Sequence, residues 1–259
     1  MKMTTLTKTT LPFAAVALLA ATSQAATTSF DDFSTDPNIG SEWTEYSYYQ
    51  TENVATTWNS TTNDLDVVHT ASGPGNGVGL YRTGTTRSTT DAVTLTVNSL
   101  SRSGGGWGYL GLMIAAEESN GYVTTNGDSY SVLLASVGGT NVQHQVRMTY
   151  ADNPPSDFIL YAGATFDLAT NGPVKLDIER NGDHYEFLAD GAVLYSTAAP
   201  AAGDTYDLAA KDSLVNYQIV TTGDGSITAN VDNFGVVPEP STTALLGLGG
   251  LALILRRRK

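Results

Sequence analysis

Apolar and polar positions alternate most clearly in residues 174–195. Val174–Glu179 shows the two-residue period of a strand that has one buried face and one solvated face. Asn181-Gly182 and Asp190-Gly191 interrupt the pattern, and both pairs tolerate the positive φ angles of tight hairpin turns. The pattern predicts a three-stranded antiparallel meander.

Other segments rich in β-branched and aromatic residues are also predicted as strands, because such side chains suit a pleated, half-buried surface. Those at 109–115 and 130–136 are almost continuously apolar, which predicts strands covered on both faces. Helix is expected in the body only at 208–214. Many short strands separated by turn residues predict an all-β, two-sheet antiparallel β-sandwich. The remaining predicted strands are 92–100, 142–150, 158–162, 217–221 and 226–234.

The first 25 residues have the order of a secretory signal peptide. Lys2 and Lys8 precede an apolar stretch, Leu11–Ala21, and Ser23-Gln24-Ala25 supplies small residues for signal peptidase. The apolar stretch is short for a span of the ~30 Å hydrocarbon core. We therefore expect a signal helix that is cleaved after Ala25. The alternative is a buried N-terminal helix.

The last 23 residues form a second processing segment, 237–259, in three parts. A proline-flanked acid comes first, an apolar stretch at 242–255 follows, and a basic cluster ends the chain. The apolar stretch would measure about 21 Å as a helix, and the basic end would stay cytoplasmic. The residues are Pro238, Glu239 and Pro240, and then Arg256, Arg257, Arg258 and Lys259.

This arrangement closely resembles the PEP-CTERM sorting signal. The resemblance implies processing by an exosortase, a membrane-embedded cysteine protease, near Pro238–Pro240. It also implies a transient inner-membrane intermediate and release to the surface or extracellular matrix of a Gram-negative bacterium. The alternative is a simple C-terminal membrane anchor.

Residues 26–236 remain as one predicted domain, with seven basic and 25 acidic side chains and a formal charge of −18. So acidic a surface repels nucleic acid and attracts cations. The chain has no cysteine, which excludes disulfides, thiolate metal sites and a cysteine nucleophile.

The body, over residues 30–236, resembles a concanavalin A-like, laminin-G-like jelly roll in its two ends and in the meander segments Leu176–Gly182 and Phe187–Gly191. The first strand is expected in Phe30-Asp31-Asp32-Phe33-Ser34 and the last contains Val231-Asp232-Asn233-Phe234. The resemblance implies that these strands pair, which would bring Asp32 near Asp232. Asp31, Asp32 and Asp232 are therefore candidate Ca²⁺ ligands, since Ca²⁺ takes six to eight oxygens. The alternative is that they are solvent-facing acids at strand ends.

Aromatic side chains suggest a second kind of site. Trp43, Trp58 and Trp107 could stack on sugar rings, and Trp107 lies in a glycine-rich loop, 104–108. The partner would be an exopolysaccharide or another glycan. The alternative is that these rings fill the core, as aromatic residues do in any β protein.

Catalysis is not expected from the residues. Jelly-roll glycosidases carry Glu-x-Asp-x-Glu on one strand, and Asp177-Ile178-Glu179 is the closest match, but residue 181 is Asn. Alternation puts Asp177 and Glu179 on the solvated face. Glu117-Glu118 would point to opposite sides of a strand. The three histidines, at 69, 144 and 184, show no metal-ligand spacing.

The sequence therefore predicts an exported, non-catalytic sandwich that binds carbohydrate or matrix. The alternative is a glycan-active enzyme, a glycosidase or lyase of the concanavalin A-like class.

Overall fold

The computed structural model describes most of residues 28–238, and Thr27–Pro238 forms one compact unit. The predicted signal peptide, the tail from Glu239 onward and the predicted helix at 208–214 lie outside the described residues. The described residues are 28–37, 42–48, 54–59, 61–71, 77–82, 91–104, 108–115, 129–150, 156–181, 184–198, 216–223 and 225–238.

Fifteen strands and one short helix, α1 (Leu168–Asn171), make up the described structure. In chain order the strands are β1 (Thr28–Asp31), β2 (Trp43–Tyr48), β3 (Val54–Asn59), β4 (Asp64–Ala71), β5 (Gly77–Arg82), β6 (Asp91–Ser103), β7 (Gly108–Ala115), β8 (Ser129–Gly138), β9 (Asn141–Tyr150), β10 (Ser156–Asp167), β11 (Val174–Asn181), β12 (His184–Ala189), β13 (Ala192–Ser196), β14 (Asn216–Gly223) and β15 (Gly225–Pro238).

The strands form two antiparallel sheets. The eight-stranded sheet has the order β13-β12-β11-β6-β15-β4-β3, with β1 also paired to β15. The seven-stranded sheet has the order β10-β9-β8-β7-β14-β5-β2. The prediction of an antiparallel two-sheet sandwich is confirmed, and so is the meander, which is β11–β13. The strands from Trp43 to Arg82 were not predicted.

One hydrophobic core fills the space between the sheets. Alternate residues of β6 and β11 contribute from the eight-stranded sheet, and alternate residues of β7, β8 and β9 contribute from the other. The predicted inward positions Leu176 and Ile178 are both buried in this core. Apolar burial of this kind is the main force that holds such a sandwich together, at about 25 cal/mol per Å².

The first and last strands pair, as the jelly-roll resemblance implied. Thr28 lies opposite Val236 and Asp31 lies opposite Phe234. On its other side β15 follows β6 to its end, where Pro238 lies opposite Asp91. The final strand is therefore held between two neighbours near its carboxyl end.

No helix in the described part of the chain is long and apolar enough to cross a membrane. The expected tail helix at 242–255 falls outside that part and stays a prediction.

Candidate functional site

The outer face of the seven-stranded sheet presents three parallel rows of side chains. Strand alternation buries Leu110, Val132 and Val146 in the core and turns their neighbours outward. Register then aligns the outward residues of β7, β8 and β9. The rows are Tyr109–Ala135–Gln143, Gly111–Leu133–Gln145 and Met113–Ser131–Arg147.

Hydrogen bonds join the outward residues of β9 into a chain, which we call the Gln–Arg row (Gln143, Gln145 and Arg147). The Gln143 Nε2 group donates to the carbonyl oxygen of Gly163 on β10. Gln145 Nε2 donates to Gln143 Oε1 over 3.0 Å, and Arg147 Nε donates to Gln145 Oε1 over 3.0 Å. Each amide is thereby fixed at both ends, so the row presents its polar atoms in one arrangement.

Arg147 also lies over an aromatic ring. Its guanidinium carbon is 4.7 Å from the centroid of Tyr109, within the range of a cation–π interaction. Tyr109 is 0% exposed and Gln145 is 8% exposed, although both belong to the outer face. This face is therefore partly covered, with Arg147 itself only half-buried.

Within the three rows, the only charged side chain is that of Arg147. The neighbouring strand β10 of the same sheet adds Asp157, which lies opposite Thr149. Two chain connections leave the sheet at the end where Arg147 lies. Ala115 and Ser129, paired with each other, begin and end one connection. Tyr150 and Ser156, also paired, border the other.

Those two connections lie outside the described residues but carry acidic side chains. The four acids are Glu117, Glu118, Asp128 and Asp152. The sequence analysis considered only Glu117 and Glu118.

Trp43 is not a sugar-stacking residue, which corrects the prediction for it. The side chain is 1% exposed and belongs to the core. Its ring centroid lies 5.1 Å from that of Phe234 and 5.8 Å from that of Phe33. Its indole Nε1 donates to Asp31 Oδ2 over 2.8 Å. Trp107 and the side chain of Trp58 lie outside the described residues, so stacking by them stays a prediction.

The three predicted metal ligands lie near one another but do not form a cage. Burial raises the pKa of Asp232, and the negative charges of Asp64, Asp32 and Asp31 raise it further, against the hydrogen bond from the backbone N–H of Asn233. The Asn233 backbone and side-chain N–H groups donate to the two oxygens of Asp232.

Most of the carboxylate oxygens near Asp232 already accept hydrogen bonds. The two Asp31 oxygens accept from the Phe33 N–H and from the Trp43 indole. Asp32 accepts from the Ser34 N–H, and hydrogen bonds from Ser34 lower the pKa of Asp32. Among the described residues, no group of three or more His, Cys, Asp or Glu could hold a metal ion.

Asp177 and Glu179 lie on the outer face of the eight-stranded sheet, opposite in direction to Leu176 and Ile178. The expectation that Asp177 is solvated is wrong. It is 4% exposed and forms an ion pair with Lys175, with Nζ and Oδ1 2.8 Å apart. These two acids are therefore remote from the Gln–Arg row, on the other sheet.

Comparison with known proteins matches the two parts of the chain separately. Residues 236–259 match the PEP-CTERM protein-sorting motif. That match confirms the tail resemblance and marks the chain as an exported protein that exosortase processes through the membrane. No curated protein sequence matches the chain.

The body is similar to solved structures of glucanases. One is SCLam, a non-specific endo-β-1,3(4)-glucanase from family GH16, at 13% identity over 82% of this chain and 94% of that chain, with a TM-score of 0.53. Another is LamA from Z. galactanivorans in complex with laminaritriose and laminaritetraose, at 11% identity over 80% and 96%, with a TM-score of 0.51. The likeness shows that the fold is the concanavalin A-like jelly roll.

These neighbours overturn two predictions, that the sandwich is non-catalytic and that the protein is not an enzyme. Two of the solved structures that share its architecture over more than nine-tenths of their length are those of an endo-glucanase. The alternative, a glycan-active enzyme, is the better supported reading.

Proposed function

We propose that the exported body is a glycan-active enzyme that hydrolyses β-linked glucan, and that its substrate lies along the outer face of the seven-stranded sheet. The observation that carries the proposal is the fold, shared with the GH16 endo-glucanase SCLam over 94% of that chain. Export supports the proposal, because polymeric glucans are encountered outside the cell. We further propose that the processed enzyme stays at the cell surface or outside it, in a Gram-negative bacterium.

The Gln–Arg row supports the choice of face. Sugar hydroxyls both donate and accept hydrogen bonds, and a row of amides with a guanidinium offers both kinds of partner. The row is fixed by the hydrogen bonds between its members and by the one from Gln143 to Gly163, so it would lose little conformational freedom on binding. Removing Arg147 as Arg147→Ala should raise KM by about tenfold, the effect of losing one or two charge-assisted hydrogen bonds.

Hydrolysis of a glycosidic bond needs two carboxyl groups, about 5 to 9.5 Å apart depending on mechanism. We propose that at least one comes from the connections that leave the sheet beside Arg147. These connections carry Glu117, Glu118, Asp128 and Asp152.

The test is the release of reducing ends from β-1,3-glucan and mixed-linkage β-glucan by the secreted protein. Each of the four acids is replaced singly by its amide, and at least one replacement should lower kcat by about 100-fold or more. Glu186→Gln is the matched control, because Glu186 is on the eight-stranded sheet near His184. Wild-type rates in all four variants would show that none of these acids supplies a catalytic carboxyl group. A wild-type protein that releases no reducing ends from either glucan would overturn the proposed function.

Calcium binding at Asp31, Asp32 and Asp232 stays a separate prediction. The repulsion at Asp232 supports it, since a cation would relieve that repulsion. The two hydrogen bonds to Asp31 oppose a ligand role for that residue. A rise in melting temperature with about 1 mM Ca²⁺, lost in Asp232→Asn, would support the prediction. Identical melts with Ca²⁺ and with chelator would contradict it.

A further inference from the structure

The sorting motif begins inside the folded body. The sorting-signal match starts at residue 236, whereas β15 continues to Pro238. The last three residues of β15 are therefore both part of the sheet and part of the signal. No spacer separates the motif from the fold.

These residues are held by neighbouring strands. Val236, Val237 and Pro238 lie opposite Val93, Ala92 and Asp91 of β6. On the other side, Val236 lies opposite Thr28 of β1.

The same strand is anchored in the core two residues before this segment. Phe234 is fully buried and packs against Trp43, with ring centroids 5.1 Å apart. Strand residues advance about 3.3 Å each, so Pro238 is about 13 Å from Phe234 along the chain. Pro238 has no N–H to donate to the ladder, which makes the strand end its weakest part. Val236–Pro238 is therefore the segment of β15 that could separate from the sheet without moving Phe234 out of the core.

A protease needs its substrate peptide in an extended form that is not paired with the substrate's own sheet. Cleavage of a folded protein tracks the population of the locally opened form when opening is fast relative to cleavage. We propose that exosortase acts on a form in which Val236–Pro238 has separated from β6 and β1, so that closure of the sheet limits the rate of sorting. This inference is independent of the proposed glucanase activity.

An engineered disulfide tests the proposal directly. The chain has no cysteine, so an introduced pair cannot mispair, and export takes it to an oxidising compartment. The variant with Ala92→Cys and Val237→Cys would fasten the end of β15 to β6, because these residues are opposite each other. The matched control carries Ser101→Cys and Thr228→Cys, which join the same two strands near their other end. Disulfide formation is checked by mass spectrometry.

We expect the Ala92–Val237 disulfide to slow tail removal by about tenfold or more, as the open form becomes inaccessible. The control disulfide and each single-cysteine variant should be processed at the wild-type rate. A six-residue Gly/Ser insertion between Val237 and Pro238, in the disulfide variant, should restore cleavage by moving the motif out of the sheet. Equal processing of the two disulfide variants, or no restoration by the insertion, would overturn the proposal. The readout is the tail mass, so glucanase activity does not affect it.

Discussion

At the scale of single residues, Trp43 joins the core to the acidic end of the first strand. Its ring packs against Phe33 and Phe234, and its N–H satisfies one oxygen of Asp31. A buried or half-buried carboxylate without this donor would lose a charge-assisted hydrogen bond. Trp43 therefore serves the body as a structural residue, whatever ligand the protein binds.

Trp43→Phe should lower the free energy of unfolding by about 1–3 kcal/mol, because Asp31 Oδ2 loses its donor and the core loses volume. Urea denaturation measures the change. Combining it with Asp31→Asn in a double-mutant cycle separates the hydrogen bond from the packing. A coupling energy of zero in that cycle would show that the indole N–H contributes nothing.

Asp232 should destabilise the body at neutral pH, because its folded pKa is raised above 3.8 by burial and by three neighbouring carboxylates. An acid with a raised folded pKa loses stability as pH rises from its unfolded pKa through its folded one. Asp232→Asn should therefore raise the melting temperature at pH 7 in chelator. Asp167→Asn is a control for which we expect a change in melting temperature of the opposite sign. Hydrogen bonds from Thr140 and Thr170 lower the pKa of Asp167, so this change should lower the melting temperature. A lower melting temperature of Asp232→Asn at pH 7 would contradict the predicted direction.

His144 should make the body sensitive to acid. Burial lowers the pKa of His144 below 6.5, although the charge of Asp190 acts in the other direction. Its ring stacks on Phe166 with centroids 4.7 Å apart, and its buried Nε2 has no hydrogen-bond partner among the described residues. A base that is neutral in the fold loses stability as pH falls below its unfolded pKa.

His144→Phe should flatten the fall in melting temperature as pH drops below about 6.5, since phenylalanine keeps the stack on Phe166 and cannot be protonated. His184→Phe, on the outer face of the eight-stranded sheet, should leave that fall in place. An unchanged pH profile in His144→Phe would assign the acid sensitivity to other groups.

At the scale of elements, β7 and β8 approach closely at Gly111. A Cβ at this position would lie 2.3 Å from the carbonyl oxygen of Val132 and 2.8 Å from Leu133 Cα, both backbone atoms. The outward side chain of Leu133 covers the place that a larger residue would take. The absence of a side chain at Gly111 therefore lets the central strands of the proposed substrate face pack together.

Gly111→Ala should destabilise the body by about 1–3 kcal/mol, because backbone atoms must shift to accept the methyl group. Gly163→Ala is the matched control on the same sheet. There the added Cβ meets only the ring of Tyr161, whose hydroxyl is 3.2 Å away at the end of a flexible side chain. Thermal melts of the two variants measure the difference. Equal losses would show that the β7–β8 contact is not the cause.

Some elements could be predicted from sequence and others could not, for a physical reason. β11–β13 contain alternating apolar residues, and the turn between β12 and β13 is formed by Asp190 and Gly191, with φ of 49° and 77°. β2 and β5 are short and mix polar with apolar residues. They pair with each other, and β5 also pairs with β14, far away in sequence, so local alternation alone does not reveal them. The Gln–Arg row was missed because no local pattern reveals that Gln143 reaches Gly163 on β10.

At the scale of the whole molecule, one strand belongs both to the folded sheet and to the export signal. β15 is central to the eight-stranded sheet, and its end carries the start of the sorting signal. The jelly roll supplies a second sheet whose outer face is remote from that strand and carries the Gln–Arg row. In our proposals, processing and glycan chemistry therefore use opposite sheets of one sandwich.

The measurement that tests the central claim most directly is a backbone NMR titration of the secreted protein with a β-glucan oligosaccharide. The account predicts that the largest shift changes fall in β7, β8 and β9, around Tyr109, Leu133, Gln145 and Arg147. Shift changes confined to the eight-stranded sheet, or none at saturating oligosaccharide, would contradict it.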